Sequence, residues 1–341
     1  MPKPYQVVCV QAPIHQARSR QDVKDNIARV AGMLDLMVFM QRRRLENRGA
    51  GEVRLVAFPE YGFSDWRRIA HGSIKGEDVA IEIPGPETEP LSKAARDNNL
   101  FIAAQALEIL PALPGHFMNA AFIIGPRGDI VYKRHKLRHG LLVLYTGPND
   151  ILDRYMELFS KGRSMGETVF PVVDTEIGVL GMSVCHEIAT PEVARQLAAN
   201  GAEVIIRPTN EPDLAGRIHM DRARAMENKV YCVVANSGYS VEDTTIGDCG
   251  ASAIIGFRGE VIAQSGLSDT TAWCEIDIER LRLAKGAARI PAYASTVFDY
   301  HQKVSLPANL YANGPLDRNA LEREYAKLGL SPQKKTPGVP A

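Results

Sequence analysis

Short apolar runs rich in β-branched residues alternate along this chain with longer segments of helical periodicity, and that alternation argues for an α/β layered architecture. The runs at 7–11, 53–58, 101–107, 120–125, 130–133, 179–185, 203–207, 231–236, 253–256, 261–264 and 271–276 are predicted strands. The clearest helices fall at 21–44, 88–98, 191–200 and 216–228. The third opens on Pro191, at a position where a missing N–H costs little.

Two stretches repeat. Ile-Ile-Gly-Pro-Arg-Gly-Asp-Ile-Val at 123–131 and Ile-Ile-Gly-Phe-Arg-Gly-Glu-Val-Ile at 254–262 each read as strand, Gly-containing turn and strand. A weaker echo joins 53–60 to 202–209, where a strand runs into Pro59 in one case and Pro208 in the other. Convergent turn chemistry is the plain alternative for the weaker pair. The repeats lead us to expect two related halves that share one core and form a site between them. At 341 residues the chain exceeds the usual single-core size, but α/β layers of this length form one domain, expected here over 1–290. An arm at 291–330, with unpatterned aromatics at 293–311, is expected to pack on the domain or a partner subunit. The breaker-rich 331–341 is expected to be a disordered tail.

Composition removes several classes of function. Forty basic residues balance forty acidic ones, so no net field favours nucleic acid or an anionic membrane. No apolar run reaches bilayer length, and the N-terminal stretch lacks a signal-type apolar segment. The five cysteines are odd in number and widely spaced, without CxxC or a zinc-type His run. The expectations are a cytoplasmic protein with neither metal nor organic cofactor, acting on a small molecule and pairing with copies of itself.

Three residues stand where chemistry needs them. Cys185 ends the apolar run 179–184 and precedes a Pro-initiated helix, a turn at which backbone N–H groups can stabilise a thiolate or an oxyanion. A cysteine is more commonly a small buried hydrophobe; Cys9, Cys232 and Cys274 read that way, while Cys249, between glycine-bearing segments, is undecided. Glu60 follows a strand end, where a lone carboxylate is usually a solvated cap. Lys136 lies in a basic run, 133–139, which by itself reads as a solvated face.

Taken in order, the motifs are more specific. Phe-Pro-Glu-Tyr-Gly (58–62), Gly-Asp-Ile-Val-Tyr-Lys-x-x-Lys (128–136) and Gly-Val-Leu-Gly-Met-Ser-Val-Cys-x-Glu-x-x-x-Pro-Glu (178–192) resemble the nitrilase superfamily of carbon–nitrogen hydrolases. The resemblance continues through 201–209 and 222–228 and spans roughly residues 5–280. It implies a four-layer αββα sandwich of two similar halves, a homodimer or higher homo-oligomer, and an active site of Glu60, Lys136 and Cys185 that needs no cofactor. Glu60 would take the thiol proton, and Lys136 with the His186 N–H would stabilise the oxyanion.

The resemblance also implies a second glutamate between the Lys and the Cys, for which Asp153 and Glu157 are the candidates and Glu157 is preferred. His186 either lines the pocket or packs beside Cys185, and Glu187 either reaches the pocket or caps the following helix. Asn210, Glu211 and Asn236 follow strand ends that could face the pocket. Nitrilases proper usually carry Trp-Glu after the Cys, and His186-Glu187 here shifts the expected substrate from a nitrile to a linear amide. An N-carbamoyl compound bearing a carboxylate would want a cation such as Arg138, Arg207 or Arg217. A catalytically silent binding protein on the same fold is the reading from a different class.

Overall fold

The computed structural model describes residues 2–11, 13–45, 51–64, 69, 72–137, 145–212, 214–238, 249–267 and 271–287. The arm and tail expected at 291–341, and Arg138 and His139, lie outside the described residues.

The chain builds two six-stranded sheets. Sheet one runs in the order β12 (Thr271–Ile276), β1 (Tyr5–Val10), β2 (Val53–Ala57), β3 (Phe101–Ile109), β4 (Phe117–Ile124) and β5 (Ile130–His135). Sheet two runs β6 (Val173–Thr175), β7 (Gly178–Met182), β8 (Val204–Thr209), β9 (Tyr231–Asn236), β10 (Ala253–Ile255) and β11 (Val261–Gln264). Read this way the sheets have one topology. Each has a central parallel trio, β1-β2-β3 or β7-β8-β9, an antiparallel hairpin on one side, and an antiparallel strand, β12 or β6, on the other. The flanking strands are exchanged. β6 follows the first hairpin in the chain but joins sheet two, and β12 follows the second hairpin but joins sheet one.

β1 shows why the sequence layers as it does, since all six of its residues are buried and alternate side chains point to opposite faces. Val8 and Val10 pack with Ile27 and Leu34 of α1 (Arg20–Leu45) and Leu91 of α3 (Glu89–Asn98). Tyr5, Val7 and Cys9 pack instead against Leu180, Met182, Val204 and Val233 of sheet two. The far face of sheet two buries Ile205 and Val234 against Val193 and Leu197 of α6 (Pro191–Ala199) and Ile218 and Ala225 of α7 (Leu214–Asn228). The order is therefore helix, sheet, sheet, helix, the four-layer αββα sandwich. Burying a Val, Ile or Leu contributes about 1.5–3 kcal/mol each, so the apolar layer between the sheets is the main brace holding their strand ends in register.

The hairpin repeat is a structural repeat. Gly128 and Gly259 have φ of 81° and 83°. Gly125 N–H donates to Asp129 O, and Gly256 N–H to Glu260 O, both at 2.8 Å. The register slips between Ile123 and Ile124 in one hairpin and between Ile254 and Ile255 in the other. The weaker echo holds too, since β2 and β8 are the central strands of their parallel trios.

Some elements depart from expectation. β7 stops at Met182 rather than at 185, and β3 and β5 run on to Ile109 and His135. The short strand β6 and the helices α2 (Gly76–Val79), α5 (Met165–Val169) and α8 (Ile278–Ala287) were not expected, while α4 (Leu152–Phe159) carries Asp153 and Glu157. Among the described residues, no helix is long and apolar enough to cross a membrane.

Candidate active site

Glu60 is fixed by the turn that ends β2. Phe58 N–H still donates to Ala103 O at 2.8 Å, after which Pro59 ends the ladder and Gly62 N–H returns to Pro59 O at 3.3 Å. Tyr61 sits in the left-handed region with φ 55°, and its N–H is held by the buried Gln105 Oε1 at 2.6 Å. Glu60 is thereby turned inward, 1 % exposed.

Lys136 comes one residue after β5, its N–H extending the ladder to Asn119 O at 2.8 Å. Its Nζ donates to Glu60 Oε1 at 2.7 Å, and Asn119 Nδ2 donates to the same oxygen at 2.9 Å. Both bonds fall on the same carboxylate oxygen, Oε1. Burial works against charge on Lys136, but the Glu60 carboxylate and the Cys185 sulfur beside it more than offset this and hold its pKa well above the ordinary value. The Lys136 ammonium lies 5.7 Å from the Tyr145 ring centroid, and Tyr145 Oη donates to Leu137 O at 3.1 Å.

Cys185 stands on a sharp corner. After β7, Ser183 N–H still pairs with Ile206 O at 3.0 Å. Cys185 then takes φ 50° and opens the 3-10 turn Cys185–Ala189, and Pro191 starts α6 at its first position. A non-glycine residue there is strained by roughly 1–2 kcal/mol, and neighbouring groups hold it in place. Arg207 Nη1 donates to Cys185 O at 3.1 Å and to Thr209 Oγ1 at 3.2 Å, while Asp221 grips the guanidinium at 2.8 and 2.7 Å. The Thr209 hydroxyl and Asn210 N–H point at the sulfur. Burial pushes the thiol pKa up and the Glu60 charge adds to it, with Lys136 opposing. The sulfur is therefore held as a neutral thiol. Cys9, Cys232 and Cys274 are pushed up mainly by burial, Cys274 to about 12.

Glu60, Lys136 and Cys185 are thus brought together, and other predicted site residues are not. Glu157 lies on α4 with its side chain 63 % exposed, paired with Arg154 at 2.8 Å; Asp153 is exposed on the same helix. Neither is a second site carboxylate, because α4 turns its polar face to solvent. Glu187 is neither a pocket residue nor a simple helix cap, being fully buried and clamped by Arg134. His186 is exposed. Glu211 is buried and paired with Arg217 at 3.1 Å. Asn236 holds the Glu211 backbone through both its amide atoms, at 2.9 and 2.8 Å, so it shapes the loop rather than facing a substrate. Arg207 and Arg217 are already committed to carboxylates. Cys249 is buried, with its sulfur 3.9 Å from Asn210 Oδ1. Lys133 turns away from the site to Glu108 and Ile83 O. Among the described residues no group of three or more His, Cys, Asp or Glu could hold a metal ion.

Sequence reasoning missed Asn119, Tyr61, Tyr145 and Thr209. For Thr209 a signal existed, because in the weaker repeat Pro208-Thr209 corresponds to Pro59-Glu60.

Comparison with known proteins agrees with this architecture. The carbon–nitrogen hydrolase family profile matches residues 6–285. Omega-amidase NIT2 of Bos taurus is 25% identical over 82% of this chain and 91% of its own. Omega-amidase NIT2-A of Xenopus laevis is 28% identical over 67% and 78%. Among solved structures, Saccharomyces cerevisiae Nit3, a member of branch 10 of the nitrilase superfamily, superposes with TM-score 0.60 at 20% identity, covering 89% of this chain and 96% of its own. An amidase from Nesterenkonia sp. gives TM-score 0.56 at 19% identity over 86% and 96%. The chain belongs to the carbon–nitrogen hydrolase family and is a hydrolase of carbon–nitrogen bonds.

Proposed function

We propose that this enzyme hydrolyses a small linear amide through a thioester on Cys185. The observation that carries the reading is the buried Lys136–Glu60 pair, 2.7 Å apart, beside a thiol presented at a left-handed corner. Glu60 Oε2 takes the thiol proton as sulfur attacks the carbonyl carbon. The tetrahedral oxyanion forms against the Lys136 ammonium and the His186 N–H. Glu60 gives its proton to the departing nitrogen, ammonia leaves, and the acyl group remains on sulfur. Water then loses a proton to Glu60 and attacks the thioester, and the proton returns to the thiolate as the carboxylic acid leaves.

The names of the relatives, omega-amidases, support an amide, as does the commitment of Arg207 and Arg217 to internal carboxylates, which leaves neither to receive the carboxylate of an N-carbamoyl acid. In a variant of the amidase from Nesterenkonia sp. AN1 the active-site cysteine carries the acetamide moiety of fluoroacetamide; that adduct keeps its amide nitrogen and so is an alkylated sulfur rather than a thioester, but it supports a cysteine nucleophile in that amidase. All five cysteines are free, in keeping with a reducing cytoplasm. A homodimer or higher homo-oligomer also belongs to this reading, and light scattering should give a mass at least twice 37.4 kDa.

The test is ammonia release by the purified full chain over aliphatic amides, aryl amides, ureido acids and nitriles, with intact mass after rapid quench. Release from aliphatic amides, with an acyl adduct mapped to Cys185, is expected. Turnover by Cys185→Ala, or an adduct on Cys249, would sink the mechanism.

A further inference from the structure

Arg134 and Glu187 form an ion pair in which both side chains are 0 % exposed, and they belong to different halves. Arg134 lies on β5 of sheet one, two residues before Lys136. Glu187 lies in the turn after β7 of sheet two, two residues after Cys185. The guanidinium fork meets the carboxylate squarely, Nη1 to Oε2 at 2.7 Å and Nη2 to Oε1 at 2.8 Å.

The remaining contacts reach the two catalytic segments. Leu137 N–H, immediately after Lys136, donates to Glu187 Oε1 at 2.9 Å, and Val184 N–H, immediately before Cys185, donates to Oε2 at 2.7 Å. Arg134 Nη1 also donates to Met182 O, the last residue of β7, at 2.9 Å. One carboxylate therefore takes a backbone N–H from each side of the site. Burial would raise the Glu187 pKa, but Arg134 and these donors more than offset it, so the carboxylate stays ionised.

Stability alone is a poor reason for this pair. Desolvating two charges costs several kcal/mol each, and apolar residues of similar volume often serve a core as well. The pair is not even optimal for its own solvation, since among the described residues Arg134 Nε is buried with no hydrogen-bond partner. What the pair supplies is geometry. We propose that Arg134 and Glu187 are positioning residues that set the Lys136 ammonium against the Cys185 thiol across the two halves. This rests on the reading of Glu60, Lys136 and Cys185 as the catalytic set.

The experiment compares Glu187→Gln and Arg134→Lys with Glu203→Gln, which breaks another bidentate pair, Glu203–Arg282, joining the residue before β8 to α8 and away from the site. Cys185→Ala is the control for the catalytic reading. Each variant is measured for kcat, KM, circular dichroism and the rate of Cys185 alkylation by iodoacetamide. Misplacing reacting groups by about 1 Å can cost roughly 100-fold in rate. Glu187→Gln should therefore fold, keep KM within about threefold, lose about 100-fold in kcat and alkylate more slowly. Arg134→Lys, keeping the charge but not the fork, should fall between it and the parent. Glu203→Gln should keep its kcat. Unchanged kcat in both site variants, an equal loss in Glu203→Gln, or failure of both site variants to fold would overturn the proposal, the last by making the pair a requirement of the fold. Turnover by Cys185→Ala would instead overturn the catalytic reading beneath it.

Discussion

The Cys185 thiol carries two opposed neighbours, and their effects can be separated. Glu60 raises its pKa and Lys136 lowers it. Removing the anion in Glu60→Gln should shift the pH profile of iodoacetamide alkylation toward lower pH even as turnover is lost. Removing the cation in Lys136→Met should shift it toward higher pH. A common direction for both variants would mean that neither charge acts on the sulfur as described. Lys136→Met should also lower kcat by about 10²–10³-fold, as losing one oxyanion donor does. Lys133→Met, whose ammonium serves Glu108 on the far side of β5, should lower stability with much less effect on kcat. The three central residues were legible because each sits at a strand end inside an ordered motif. Asn119 and Tyr145 were not, because their roles depend on which atoms fold beside Glu60 and Lys136, and no local pattern encodes that. Glu157 misled for the complementary reason: a carboxylate on an amphipathic helix looks the same in sequence whichever way the helix turns.

Strands were legible where the chain carries an apolar run. β9, buried at every position, has the bounds its apolar run predicts, whereas β6 has three residues, none of them fully buried, and gave no apolar run to read. α5 is only five residues long but has a capping box, with Ser164 Oγ accepting from Glu167 N–H at 3.3 Å and the Glu167 carboxylate accepting from Ser164 N–H at 2.9 Å. That Ser-x-x-Glu signature stands in the sequence at 164–167. The duplicated hairpins allow a paired test. A Cβ on Gly128 would lie 3.0 Å from Ser92 O and 2.4 Å from Arg96 Nη1, whereas on Gly259 its nearest neighbour is Arg222 O at 3.2 Å. Both glycines have positive φ, so each Gly→Ala change should cost about 1–2 kcal/mol from the backbone alone. Gly128→Ala should cost more, because β4–β5 also crowds α3. Urea midpoints of the two variants check this, and equal midpoints would show that Arg96 and Ser92 yield without cost.

At the scale of the whole molecule, the halves inferred from the repeats are real, but their mode of joining was invisible in the sequence, since β12 pairs Tyr5 with Ile276 across nearly the whole described chain. The pairing predicts one cooperative unfolding event. Circular dichroism and tryptophan fluorescence should follow a single urea transition. Ala272→Pro, which disturbs the ladder where Ala272 faces Cys9, should lower the midpoint seen by both probes together. Two separate transitions would mean that the sheets fold independently. The exchanged strands also have a mechanical consequence. Each half lends the other its outermost strand, so the order of the chain along its covalent thread differs from its order along the ladders. A force that pulls the halves apart cannot slide two finished bodies past each other. It must unzip β12 from β1 and β6 from β7 along their lengths, and the corner that carries Cys185, which follows directly on β7 of that second seam, is anchored from both sides until it does.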